Sequence, residues 1–172
     1  VRFGVEHDII FDVSENGKDL VRKNLDTYDV LLFNNANELV NVLDEKQRAS
    51  VEGWYEDGGA IFGLHALLVH QQEWEWLYDL GGCDFDSDSA FLEAKIVVEP
   101  GAMYHPAVKG WGPEFRYTAD WTNHTASVTG LPGVQVLLRV DESTYEPVRS
   151  FFIERGGKAM GADHPIAWTR LY

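Results

Sequence analysis

The chain has 172 residues, of which 45% are hydrophobic and 13% aromatic, enough to bury the core of one domain over residues 1–172. Its 28 acidic and 14 basic side chains give a formal net charge of -14, which repels phosphate backbones and excludes a nucleic-acid partner. The apolar runs fall far short of the ~20 residues that cross a bilayer, so we expect a soluble protein without a membrane partner. A single cysteine, Cys83, excludes an intrachain disulfide and favours the cytoplasm over secretion.

The first third of the chain alternates strands and a helix. A β-branched and aromatic run at 8–13 predicts a strand, and the apolar run at 28–33 predicts a second. Asp44 and Gln47 have the spacing of a capping box, which predicts a helix from there to Asp57. Ala60–Leu64 then predicts a buried strand, so strand, helix and strand form a βαβ unit with parallel strands. Continuous apolarity indicates that both faces of these strands are covered.

The second half lacks clear helices and is rich in short strand-like runs between Gly- and Pro-bearing loops. These runs lie at 95–99, 115–118, 134–140 and 166–172. They predict antiparallel or irregular strands added to the parallel sheet, within the α/β class.

Polar side chains follow both strands of the predicted βαβ unit. Asn34, Asn35 and Asn37 follow the first strand, and His65 follows the second. Because the carboxyl ends of parallel strands open on one edge, we expect His65 beside Asn34 or Asn35 in the main crevice. The amides suit a hydroxyl-rich ligand or simply form the turn. His65 could be a general acid or base, a metal ligand, or a capping group.

Cys83 is a poor candidate for a nucleophile. Acidic neighbours, beginning with Asp84, raise the pKa of a thiol, which excludes a cysteine-dependent amidotransferase or protease. The run from Asp84 to Asp88 resembles the start of a calcium loop but lacks the glycine and distal glutamate at their required places. We therefore expect a solvated loop there.

Several other polar and aromatic residues are candidates for binding. Tryptophans stack on sugar rings, although core packing is their commoner use, and the relevant residues are Trp74, Trp76, Trp111 and Trp121. Asn123-His124-Thr125 is a glycosylation sequon if the chain is secreted. No cofactor motif is evident, and the histidines are scattered without metal-ligand spacing. Because scattered histidines can still converge in the fold, the sequence is compatible with a divalent metal.

Five blocks together resemble a known family. They are Tyr28–Phe33 with its polar loop, Gly58–Ala66, Asp120-Trp121, Asp141–Tyr145 and Asp163–Trp168. In order and spacing they are similar to the ThuA-like (trehalose utilisation) family of the class I glutamine amidotransferase-like superfamily. The resemblance implies a flavodoxin-like, mainly parallel sheet with helices on both faces and extra strands in the C-terminal half. It also implies that the family's first strand and helix, and a further strand, lie outside residues 1–172.

The same resemblance implies a role in the metabolism of trehalose or related glycosides and keto-sugars, with an elbow histidine where amidotransferases have cysteine. We expect a sugar isomerase, lyase or hydrolase in which His65 exchanges protons together with His164 or Asp120. The residues expected to bind the carbohydrate are Asn34, Asn35, Trp74, Trp76, Trp121 and Asn123. The alternatives are a non-catalytic carbohydrate-binding or assembly module and a metal-assisted hydrolase. The sequence is also compatible with a homo-oligomer.

Overall fold

The computed structural model describes residues 2–172, with the side chains of residue 4 and of residues 6–172. The α-helices are α1 (Arg2–His7), α2 (Arg22–Leu25), α3 (Glu45–Glu56), α4 (Glu75–Gly81) and α5 (Ser150–Ile153). The strands are β1 (Val30–Asn34), β2 (Ala60–Leu64), β3 (Phe85–Val98), β4 (Glu114–His124), β5 (Val134–Asp141) and β6 (Pro165–Arg170). The chain forms two compact units, the first ending at Leu67 and the second running from Leu68 to Tyr172.

The first unit contains the predicted βαβ arrangement. β1 and β2 pair in parallel, with Val30 opposite Ala60 and Asn34 opposite Leu64, and α3 lies between them in sequence. α3 begins at the capping box expected from the sequence, in which the Asp44 carboxylate accepts from the Gln47 backbone N–H at 2.9 Å. The Gln47 side-chain oxygen accepts from the Asp44 N–H at 2.7 Å. Both strands and the helix are therefore confirmed.

The predicted strand at 8–13 is wrong. This segment has no strand structure, and Ile10 and Val13 are 88% and 90% exposed. β-Branched residues favour extended backbone, but a strand becomes stable only when a neighbour takes up its N–H and C=O groups. β1 pairs with β2 instead.

The faces of β1 and β2 also differ from expectation. Phe33 is buried, whereas Val30 and Phe62 are 52% and 53% exposed. The prediction that both faces are covered is thus wrong for the described residues. An apolar run shows only that a strand tolerates burial, and the elements that cover it are specified elsewhere in a chain.

The second unit is built on a four-stranded antiparallel sheet in the order β4-β3-β5-β6. Its core includes Ala94, Ile96, Trp121 and Val140. The predicted antiparallel strands are confirmed, but they form a sheet of their own, so the prediction of one mainly parallel sheet is wrong.

The predicted solvated loop at Asp84–Asp88 is wrong as well. β3 begins at Phe85, and Asp84 is only 2% exposed. The Asp84 carboxylate accepts from the backbone N–H groups of His70 at 3.0 Å and Phe85 at 2.8 Å, and also from the Gln72 side chain. A buried carboxylate with several donors does not need solvent. Across the described residues, we find no helix with the length and apolarity needed to span a membrane.

Candidate functional site

The carboxyl ends of β1 and β2 deliver two polar residues to one corner of the first unit. Asn34 and Leu64 are the last paired residues, and Asn35 and His65 follow them directly. The Asn35 backbone N–H donates to the Leu64 carbonyl at 3.1 Å, which extends the pairing by one step. His65 Nδ1 lies 2.6 Å from Asn35 Oδ1. The structure therefore brings together a histidine and an amide that the sequence predicted to be neighbours.

The backbone at this corner is unusual. Asn35 and His65 both have a φ of 57°, in the left-handed region that L-residues seldom adopt. Asparagine and histidine enter this region more readily than most residues, yet the conformation still costs energy. Gly63 lies just before this corner and packs closely against Leu67. A Cβ at position 63 would lie 2.3 Å from the Leu67 side chain, so the position favours glycine. Such strained corners are common at binding and catalytic sites.

The exposure of the corner suits a ligand. The side chains of Asn34, Asn35 and His65 are all exposed. An imidazole beside amides offers both donors and acceptors to a hydroxyl-rich molecule. The arrangement can bind a polar small molecule and exchange a proton with it.

The second unit places His164 very differently. Its ring is fully buried, with Nδ1 at 2.8 Å from Glu142 Oε1 and Nε2 at 2.8 Å from the Thr122 carbonyl. Each ring nitrogen thus lies within hydrogen-bond distance of an oxygen of another segment. Glu142 also accepts from the backbone N–H groups of Met160 at 2.8 Å and Gly161 at 2.7 Å. The pair thus joins the segment before β6 to residues that follow β5.

Burial and the nearby Glu142–His164 pair shift the pKa values of two neighbouring side chains, His124 and Tyr145. Burial, as the larger cause, and the electrostatic interaction with His164 together lower the pKa of His124 to about 4. Burial also raises the pKa of Tyr145, and the Glu142 carboxylate adds to that effect. His124 is accordingly neutral in the folded chain near pH 7.

Glu142 is the partner that sequence reasoning left out. Glu142 lies inside the Asp141–Tyr145 block that supports the family resemblance, but the sequence alone assigned no role to its carboxylate. A pairing between residues 22 positions apart in different loops has no local sequence signal.

The remaining candidates of the second unit lie mostly in its interior. Trp74 is 3% exposed and its ring lies 5.9 Å from that of the half-buried Trp76. Trp121 is 6% exposed, and its indole N–H donates to the Leu92 carbonyl at 3.0 Å. Asp120 is exposed on β4, opposite Phe91 of β3. Of these four, Asp120 has the exposure that proton exchange with a ligand requires.

Asn123 is fully buried. Its amide nitrogen donates to Ser87 Oγ at 3.1 Å and to the Pro147 carbonyl at 2.7 Å. The amide nitrogen to which a glycan would be attached is therefore buried and hydrogen-bonded in the folded chain.

The thiol of Cys83 is inert in this structure. It is 2% exposed, and burial raises its pKa to about 12, with the Asp84 carboxylate as the second cause. The predicted direction of the shift is confirmed, and burial is the larger cause. Among the described residues, no group of three His, Cys, Asp or Glu side chains is placed to hold a metal ion.

Comparisons with known proteins agree with the resemblance seen in the sequence. Residues 2–172 match the family described as ThuA, trehalose utilisation. A crystal structure of a ThuA-like protein from Bacteroides uniformis superposes with a TM-score of 0.81 at 21% identity, over 98% of this chain. The chain spans 66% of the length of that protein. No curated protein matches the chain.

Proposed function

Because the chain belongs to the ThuA (trehalose utilisation) family, we propose that it acts on a trehalose-related glycoside or keto-sugar at the corner formed by Asn35 and His65. The observation that carries the proposal is the 2.6 Å contact between His65 Nδ1 and Asn35 Oδ1 at the exposed carboxyl ends of two parallel strands. Open α/β sheets bind their ligands at this edge. A relationship to the amidotransferase-like superfamily is part of the proposal and is supported by the β1-α3-β2 unit, in which two parallel strands flank a helix in sequence.

His65 is the group that we propose exchanges protons with the sugar. Imidazole can give and take protons near neutral pH, and an exposed ring can reach a ligand hydroxyl or a carbon next to a keto group. Asn34 and Asn35 would donate to and accept from the sugar hydroxyls. Isomerisation, elimination and hydrolysis all fit this set, and a cysteine-dependent amidotransfer does not.

Asp120 and His164 differ in exposure, so we propose different roles for them. Asp120 is exposed on β4 and is retained as a candidate proton-exchanging group of the second unit. The complete burial of His164 and its engagement by Glu142 and Thr122 favour a role in holding the second unit together. Trp76 is retained as a candidate stacking surface, whereas the burial of Trp74, Trp121 and Asn123 favours structural roles for them.

The test is a ligand-detected NMR screen of disaccharides and their keto derivatives, with and without added divalent metal, followed by product analysis. We expect the wild-type chain to bind at least one trehalose-related sugar and the His65→Asn variant to lose turnover. Asparagine tolerates the left-handed backbone at this position but cannot act as an acid or base. His70→Asn is the matched control, because His70 is also exposed and has a φ of 55°.

Three outcomes separate the readings. Turnover that survives in His65→Asn contradicts the proposed role of His65. Sugar binding without turnover in the wild-type chain supports a non-catalytic carbohydrate-binding module instead. Turnover that requires the added metal supports a metal-assisted hydrolase.

A further inference from the structure

The corner of the first unit fixes the relative position of two side chains through the backbone. Asn35 and His65 each follow the last residue of a strand, and the two strands end in register at Asn34 and Leu64. Both residues turn in the same left-handed sense, with φ of 57°. The strand pairing and the matched turns place the amide oxygen of one beside Nδ1 of the other.

The contact determines which ring nitrogen of His65 carries the proton. An amide oxygen has lone pairs and no hydrogen, so it can only accept. A separation of 2.6 Å between Nδ1 and Oδ1 therefore requires the hydrogen to be on Nδ1. A neutral imidazole has one N–H, and the basic lone pair then belongs to Nε2.

We propose that Asn35 is a positioning residue that holds His65 in the Nδ1–H tautomer, so that Nε2 is the atom that takes a proton from the substrate. The inference rests on the proposed function and adds to it the direction of the first proton transfer and the atom that performs it. A neutral amide suits this task, because it orients the ring without the full negative charge that would favour the imidazolium form before substrate arrives.

The proton step balances on the chain's own groups and the substrate. Nε2 removes the proton from a carbon adjacent to the keto group of a keto-sugar, and the electron pair of that C–H bond moves into the enolate. The ring becomes imidazolium and keeps its Nδ1–H bond to Asn35. Return of the proton to the substrate restores the neutral ring, and no oxidant or reductant is consumed.

The direct test measures the tautomer of His65 by long-range 1H–15N NMR of the full chain, with His65→Asn used to assign the signals. We expect a protonated Nδ1 and an unprotonated Nε2 in the wild-type ring. Asn35→Asp keeps an acceptor oxygen and retains the Nδ1–H form. Asn35→Gly accepts the left-handed backbone but removes the oxygen, so the population should shift several-fold toward Nε2–H. Asn37→Gly, in the same loop, is the matched control and should leave the tautomer unchanged.

A wild-type His65 with its proton on Nε2, or an Asn35→Gly variant with an unchanged tautomer, overturns the inference. The kinetic readout uses whichever keto-sugar the screen identifies. We expect Asn35→Gly to lower kcat about ten- to hundredfold, beyond any rise in KM from lost contacts to sugar hydroxyls, and a change confined to KM contradicts a positioning role.

The two proposals can fail separately. If the Nδ1–H tautomer is found and depends on Asn35, but no sugar binds, the proposed function fails while the positioning of His65 stands. If sugar turnover requires His65 while the ring carries its proton on Nε2, the function stands and the inference fails.

Discussion

Two histidines, one in each unit, each have a polar oxygen within hydrogen-bond distance of Nδ1, and their surroundings give them opposite properties. His65 is exposed and its partner is the neutral amide of Asn35 at 2.6 Å. His164 is fully buried and its partner is the carboxylate of Glu142 at 2.8 Å, with a second acceptor on Nε2.

The difference lies in what each partner does to the imidazole ring. A buried carboxylate and a second acceptor hold both nitrogens of the His164 ring in place, because moving the ring away would leave buried polar groups unpaired. An exposed amide orients the ring while leaving its protonation to solvent and ligand. Exposure and partner charge, rather than residue type, therefore distinguish a histidine suited to proton exchange from one that stabilises packing.

The largest expected effect comes from the same substitution made at both positions. His164→Asn leaves the Glu142 carboxylate buried without its imidazole partner and should lower the free energy of unfolding by about 3–5 kcal/mol. His65→Asn should change it by less than about 0.5 kcal/mol, because the side chain is exposed. Urea denaturation followed by circular dichroism measures both. Equal losses in the free energy of unfolding at the two positions would contradict the proposed difference between the two histidines.

A second measurement sharpens the comparison through pH. Burial lowers the pKa of His124 to about 4 in the folded chain, against 6.5 for the ordinary group. The unfolded chain therefore binds this proton first as pH falls, so the stabilisation is complete above about pH 6.5 and is lost toward pH 4. The expected loss is about 1–3 kcal/mol. His124→Gln should flatten the curve of stability against pH in that window, and the exposed His70→Gln should not. An unchanged curve in His124→Gln would show that His124 is not buried as the neutral form.

A third variant asks how much a local hydrogen bond contributes in the first unit. Asp44→Ala removes the N-cap of α3 and should lower the free energy of unfolding by about 1 kcal/mol. Lys46→Ala, two residues further on, is the control and should stay within about 0.5 kcal/mol of wild type. A loss at Asp44 as large as that at His164 would remove the contrast between local capping and buried pairing.

The smallest expected effect concerns an ion pair near the surface. The Lys95 ammonium lies 2.7 Å from the Asp141 carboxylate, and hydrogen bonds from Lys95 and then Ser143 lower the pKa of Asp141 to about 2. Asp141→Asn should cost about 0.2–1 kcal/mol at pH 7, and the difference should disappear as pH falls from about 4 through 2. It should also shrink in 1 M salt. A cost that persists at pH 2 would mean that the charge is not the cause.

Local sequence signals accounted for the elements whose ends are fixed by their own residues. The capping box at Asp44 gave the start of α3, and the apolar runs gave β1 and β2. The run at 8–13 has similar composition but no neighbour to pair with, so the same local signal failed there. The corner of Asn35 and His65 was also predictable, because parallel strands end on a shared edge.

By itself the sequence determined the family, the parallel β1-α3-β2 unit and the loops that carry Asn35 and His65, since these depend on residues close together in the chain. The tertiary structure decided which polar residues are accessible. His164 was joined to Glu142 and Thr122, and Asn123 to Ser87 and Pro147, by contacts spanning 22 to 42 residues. Burial and protonation depend on the atoms that surround a side chain, and those atoms come from segments that no local pattern links.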